Sequence, residues 1–156
     1  MASTPALLAL QRAGVDFKTH TYQIMDGTLS YGEAVAASLG VDPARLFKTL
    51  VAVCDTQPVV AIVPVRSQLS LKALARVAAS KKAHMAAPAD AEKWTGYVVG
   101  GISPFAQKRR MPTFLDDSAV GFQSIYVSAG TRGLQVEMDP AVLIEMLDCS
   151  LAALAD

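Results

Sequence analysis

The chain of 156 residues is 52% hydrophobic and 18% charged, enough apolar material for one substantial core in a single domain spanning residues 1–156. Fourteen basic residues balance fourteen acidic ones, which argues against general duplex binding and confines any polyanion contact to a local patch. No apolar run approaches the about 18 residues of a membrane span, and Met1-Ala-Ser-Thr-Pro5 lacks the features of a secretion signal, so a cytoplasmic protein is expected.

Thr4-Pro5 reads as an N-cap followed by proline at the first helical position, and Leu7, Leu8 and Leu10 form an apolar stripe that Gly14 stops. A helix over about residues 4–13 is predicted. Val15 to Tyr22 alternates with β-branched and aromatic residues and suggests a strand, interrupted after it by Asp26-Gly27. Tyr31 to Leu39, closed by Gly40, suits a helix, and Asp42-Pro43 is expected to open a short further one, leaving Lys48 at a helix-to-strand junction. Lys48–Cys54 and Val59–Val65 flank Asp55-Thr-Gln-Pro58 as a hairpin.

Ser70 caps a helix with Leu71, Leu74 and Val77 on one face, and Lys81-Lys82 makes a basic turn after it. Pro88–Trp94 is a short helix. Thr113–Asp116, Ser124–Ser128 and Leu134–Met138 read as strands, and Asp139-Pro140 opens a final helix through Leu147. Short strands with irregularly interspersed helices favour an α+β domain with a curved mixed sheet over a doubly wound one.

Cys54 and Cys149 have neither metal-knuckle nor redox-pair spacing and are expected to be reduced thiols. His20 and His84 are equally scattered, so no metal site is expected. The segment Gly96-Tyr-Val-Val-Gly-Gly-Ile-Ser-Pro-Phe105, followed by Lys108, Arg109 and Arg110, is the most suggestive stretch. Gly100 and Gly101 permit positive φ and close approach of a ligand to backbone amides.

Ser103 beside this pair is not a hydrolase nucleophile by pattern: the order is not Gly-x-Ser-x-Gly, and Pro104 removes the amide that would follow it in an oxyanion hole. No phosphate loop is present, and Gly130-Thr-Arg-Gly133 is too short for a dinucleotide fingerprint. What remains is a site without an obvious protein nucleophile, working through backbone amides, a lysine and substrate positioning.

Arg45-Leu-Phe-Lys-Thr-Leu50, Gly96 to Phe105 and Tyr126-Val-Ser-Ala-Gly-Thr-Arg-Gly-Leu134 together resemble the YbaK family of trans-editing aminoacyl-tRNA deacylases. His20-Thr-Tyr22, Tyr31-Gly-Glu33, Gln68 to Lys72 and Gln107 to Pro112 extend the resemblance over nearly the whole chain. The branch it most resembles clears cysteine from tRNA(Pro), where binding alone separates cysteine from proline poorly.

The resemblance implies a mixed, strongly curved, barrel-like β-sheet flanked by helices and no cofactor. It implies as partners the acceptor 3′ end of a mischarged tRNA and, transiently, prolyl-tRNA synthetase, and the domain is expected to be a monomer. Lys48 is similar to the family's essential lysine, which engages the 3′-terminal nucleotide, and Thr49 follows it as the pattern requires.

Gly100 and Gly101 are similar to amide donors to the ester carbonyl. Tyr22, Tyr31, Ser103, Ser128 and Gln135 fall at substrate-pocket positions, with Ser103 shaping the loop. Three residues depart from the pattern: Ala106 and Ala129 replace glycines, and Gln135 replaces an acidic residue. Lys81, Lys82 and residues 108–110 are candidate guides for the acceptor stem. Alternatives are an editing activity on alanine or serine, or a non-catalytic binder of tRNA ends that serves a synthetase.

Overall fold

The computed structural model describes residues 3–23 and 31–156. In chain order the elements are α1 (Pro5–Ala13), β1 (Lys18–Thr21), α2 (Tyr31–Leu39), β2 (Phe47–Cys54), β3 (Gln57–Pro64), α3 (Leu71–Val77) and β4 (Ala83–Met85). There follow α4 (Pro88–Thr95), β5 (Thr113–Asp116), a 3-10 turn (Asp117–Gly121), β6 (Ile125–Ser128), β7 (Leu134–Met138), α5 (Pro140–Leu147) and β8 (Ser150–Ala152).

The α+β expectation stands, with the strands divided into two sheets. One is antiparallel in the order β1-β7-β6; the other runs β4-β2-β3-β5-β8 and is mixed, because β3-β5 and β5-β8 pair in parallel while β2 pairs antiparallel to β3 and β4. Among the described residues no helix is long and apolar enough to cross a membrane.

Local chemistry sets most boundaries. The Thr4 hydroxyl accepts from the Leu7 amide at 3.1 Å, Pro5 occupies the first turn, and Gly14 ends α1 in the left-handed conformation at φ 68°. Ser70 and Asp139 cap α3 and α5 in the same way. These caps satisfy amides that no intrahelical carbonyl reaches. The β2–β3 hairpin forms in a register from Phe47↔Pro64 to Cys54↔Gln57, and β3 is buried from Pro58 onward. Phe47, Ile62, Phe105, Leu115 and Leu143 are among the largest fully enclosed side chains. Both cysteines are free thiols.

Three sequence expectations give way. Asp42-Pro43 opens a single turn and no helix: the Asp42 carboxylate accepts from the Ala44 amide and its carbonyl from the Arg45 amide, after which Leu46 is already bridged to Tyr126. The helical cap signal is cut short by sheet pairing. Lys48 consequently lies inside β2, one residue after its start. The strand expected over 15–22 is confined to Lys18–Thr21, while Asp26-Gly27 falls outside the described residues. Val77 is exposed, whereas Leu74 is fully buried, so the inner face of α3 is narrower than its spacing suggested. The turn of Lys81 and Lys82 is held by Asp55, whose carboxylate accepts both amides.

The two sheets meet where the chain enters β2. Leu46 bridges Tyr126 in parallel, and the Arg45 carbonyl accepts from the Tyr126 amide. The Arg45 guanidinium donates to the Ser124 carbonyl at 3.1 and 3.2 Å and to its hydroxyl at 2.7 Å. Ser124 donates in turn to Glu137 at 2.6 Å. His20 lies 2.9 Å from the other Glu137 oxygen, so it belongs to this seam.

Two local features make stability predictions. The buried Asp116 carboxylate accepts from the Leu154 and Ala155 amides at 2.9 and 3.0 Å and from the Ser118 hydroxyl, fastening the segment after β8 to β5. Burial alone raises its pKa, but the hydrogen bonds outweigh burial and hold it below the usual 3.8. A lowered native pKa contributes stability above the unfolded value of about 3.9 that disappears as pH falls through the native one. Asp116→Asn is therefore expected to cost about 2–3 kcal/mol at pH 7, with the gap from wild type shrinking in urea titrations at pH 3. Ala106 has φ 55°, a left-handed conformation that strains any residue with a Cβ. Ala106→Gly should stabilise by about 1 kcal/mol, read as a higher melting temperature.

Candidate active site

The hairpin, the seam and two loops enclose one apolar pocket of ≈ 430 Å³. β2 contributes Lys48, Thr49 and Val51; α2 contributes Tyr31, Gly32 and Val35; β4 and α4 contribute Met85 and Ala91; the glycine loop contributes Val99, Gly100 and Ile102. Ser128 ends β6, Gln135 lies opposite it on β7, and Arg132 stands in the turn between them. The absence of a Cβ at Gly32 lets α2 press onto Val65, since a Cβ there would come within 2.6 Å of the Val65 Cβ.

Lys48 is half-buried. Removal from water pushes its pKa below the ordinary lysine value of 10.5, and Glu33 in the first turn of α2 pulls it back up. An ammonium in apolar surroundings acts on nearby negative charge more strongly than one in water. Thr49 and Gln135 are buried, and the Thr49 Oγ1 and Gln135 Oε1 atoms have no hydrogen-bond partner among the described residues. Leaving such atoms unpaired costs about 1–3 kcal/mol each. At Ser128 the hydroxyl accepts from the Gly130 amide at 3.2 Å.

Six of the nine expected site residues therefore share this wall: Lys48, Gly100, Tyr31, Thr49, Ser128 and Gln135. The other three lie elsewhere. The Gly101 amide is already partnered, donating to the Val98 carbonyl at 2.8 Å, whereas Gly100 lines the pocket at φ 94°. Ser103 is fully buried, its hydroxyl accepts from the Phe105 amide and its carbonyl from Gln107, an arrangement that shapes the loop. Beneath it Tyr97, its pKa pushed up to about 12 by burial, donates to the Phe105 carbonyl.

Tyr22 lines a second hollow of ≈ 400 Å³ with Tyr31, Arg132 and Gly133. Its hydroxyl is 2.9 Å from that of Tyr31. Burial, followed by this hydrogen bond, raises the Tyr31 pKa, and Arg132 lowers it.

The departures from the family pattern have separate explanations. Ala106 takes the left-handed conformation for which glycine is suited, whereas Ala129 stays outside that region and buries its methyl completely. Gln135 is a buried, neutral lining residue of the pocket. The basic run is partly accounted for by packing: Lys108 and Arg109 donate backbone amides to the Thr95 and Trp94 carbonyls at the end of α4, and the Arg109 guanidinium lies 5.8 Å from the centre of the Trp94 ring.

Arg132 is the pocket residue that sequence reasoning passed over. It was visible only as the cation between two turn glycines, in a motif too short to be a nucleotide fingerprint. Met85 and Ala91 carried no chemical signal at all. Among the described residues, the pocket lining includes no histidine, cysteine or carboxylate, and no cluster of three such groups is placed to hold a metal ion.

Comparison with known proteins agrees with this geometry. A protein of Enterococcus faecalis (strain ATCC 700802 / V583), EbsC, named as a candidate Cys-tRNA(Pro)/Cys-tRNA(Cys) deacylase, is 39% identical over 150 residues covering 96% of this chain and 91% of its own. A proline–tRNA ligase of Nitratidesulfovibrio vulgaris (strain DP4) is 34% identical over 57% of this chain and 16% of its own. In fold, the chain is similar to the crystal structure of a candidate trans-editing enzyme for prolyl-tRNA synthetase, with a TM-score of 0.86 over 100% of this chain and 99% of the other at 21% identity. Residues 27–146 match the family model described as an aminoacyl-tRNA editing domain, and the chain belongs to that family.

Proposed function

We propose that the protein is a trans-acting aminoacyl-tRNA deacylase that removes cysteine from tRNA(Pro), and from tRNA(Cys) as a second substrate. The observation that supports this most is the composition of the pocket wall. It offers a desolvated lysine, a left-handed glycine and two unpaired buried acceptors, with no imidazole, thiol or carboxylate among the described lining residues. A substrate that carries its own nucleophile suits such a wall.

The substrate thiol attacks its own ester carbonyl. A bond forms between sulfur and the carbonyl carbon, giving a four-membered thiolactone, and the ester carbon–oxygen bond breaks. The thiol gives up its proton, and the departing ribose oxygen takes one, releasing tRNA with a free hydroxyl. Lys48 holds the phosphate and ribose of the 3′-terminal nucleotide, and the Gly100 amide meets the developing oxyanion. Thr49 and Gln135 accept from the α-ammonium, completing their hydrogen bonds. Confinement replaces an intermolecular encounter by an intramolecular one. The sequence kinship with proline–tRNA ligase supports transient cooperation with prolyl-tRNA synthetase.

The neutral amide of Gln135 favours one competing reading, a sister activity on alanine or serine. Deacylation of Cys-tRNA(Pro) beside Ala- and Ser-tRNA(Pro) separates them: the proposal expects cysteine to be cleared far faster, and equal turnover of Ser-tRNA defeats the thiol mechanism. Binding without turnover selects a non-catalytic role. Lys48→Ala is expected to lower kcat/KM by roughly 100-fold.

The pH profile has a defined shape. Activity rises as the substrate thiol ionises, near ~8.5 for free cysteine. It falls when Lys48 loses its proton, at a pH below the ordinary 10.5 because its pKa is lowered. Lys48→Arg should move that descending limb beyond the accessible range. Thr49→Val and Gln135→Leu should raise KM roughly tenfold, while the melting temperature stays level or rises because a buried unpaired polar atom is gone.

A further inference from the structure

The glycine pair has a neighbour that explains it without reference to substrate. A Cβ on Gly100 would lie 2.9 Å from Cζ and Nη2 of Arg132, and a Cβ on Gly101 would lie 2.9 Å from Thr131 Cα and 3.0 Å from the Arg132 nitrogen. The pair is the surface on which the 131–132 turn and the Arg132 side chain rest. From there the guanidinium donates to the Val99 carbonyl at 3.1 Å and lies 5.5 Å from the centre of the Tyr31 ring. It lines both hollows and forms part of the wall between them. Three chain segments far apart in sequence are thus held by one exposed side chain.

We propose that Arg132 is a positioning residue: it straps the 98–101 loop to Tyr31 and to the β6–β7 turn, and so fixes the direction of the Gly100 amide at the pocket. The planar guanidinium suits this task because it presents donors in its plane and a face to the aromatic ring at once. A lysine supplies charge without that geometry. The catalytic part of the proposal rests on the deacylase reading above, whereas the strap itself does not.

The strap acts on the orientation of a donor to a developing charge, so its loss is read in kcat. Arg132→Ala should lower kcat roughly tenfold or more with KM within about twofold, leave the melting temperature unchanged, and raise amide hydrogen exchange at residues 98–101 at least tenfold while β2 and β3 stay protected. Arg132→Lys should recover only a small part of kcat. Millimolar guanidinium, well below denaturing levels, should partly restore Arg132→Ala and leave Lys48→Ala unrestored.

Unchanged exchange at 98–101 in Arg132→Ala overturns the strap, whatever the kinetics. A loosened loop with wild-type kcat overturns the positioning role. A raised KM with unchanged exchange and a shallower salt dependence makes Arg132 a phosphate contact and also overturns it. Absence of turnover by the wild-type protein defeats the deacylase reading and with it the catalytic part of this proposal, leaving the strap to be decided by exchange alone.

Discussion

The parallel bridge between Leu46 and Tyr126 is the constraint on which the site depends. Without it the two sheets are separate surfaces, and Lys48 on one has no reason to share a pocket with Ser128 and Gln135 on the other. Arg45 reinforces the seam from the side, shared between the Ser124 carbonyl and hydroxyl and 3.6 Å from Glu137. Glu137 is held ionised, first by the Ser124 hydroxyl and then by His20. The group is a mixed network of neutral and charged hydrogen bonds, which specifies one docking of the sheets more sharply than apolar contact does.

Given that docking, the apolar wall determines the chemistry. Lys48 carries charge from β2 into a region that, among the described residues, is otherwise built largely from apolar side chains such as Val35, Leu46, Val51, Val65 and Ile102, with Arg132 the other cation. The lysine's lowered pKa and its influence on bound anions have the same origin, the loss of water around the ammonium. A volume of ≈ 430 Å³ lies within the ordinary range of small-molecule sites, so it admits side chains of several sizes. On the proposed deacylase reading, selection between cysteine and a group of similar bulk would fall to reactivity more than to exclusion.

Much of this was legible in the chain. Caps and helix stops are local signals, which is why Thr4, Ser70, Asp139 and Gly14 located their helix ends closely, and the apolar runs on either side of Asp55-Thr-Gln-Pro58 pointed to the hairpin. Signals that tertiary pairing overrides were misleading: Asp42-Pro43 has the chemistry of a helix start, but Leu46 is committed to the sheet four residues later. β4 and β8, at three residues each, are too short for any period to show. In the pocket, Lys48, Thr49 and Gln135 had been singled out by their chemistry, whereas Arg132 had not, and the apolar lining was not legible because Met85 or Ala91 looks like any core residue. The partners of the Gly101 amide and the Ser103 hydroxyl were not legible for another reason. Which way a loop amide or hydroxyl points is decided by its partner, and Val98 and Phe105 are visible as partners only in three dimensions.

The thiols of the protein have a consequence for a substrate that is an activated ester. An aminoacyl ester meeting a protein thiolate undergoes transthioesterification, leaving the amino acid covalently on the protein. Cys54 is buried in the hairpin, and burial first, with Asp148 adding to it, pushes the Cys149 thiol up to about 11. At neutral pH Cys149 is almost entirely protonated, a poor acyl acceptor. Under the proposed mechanism, the thiolate best placed to capture the acyl group would then be the one that arrives with it.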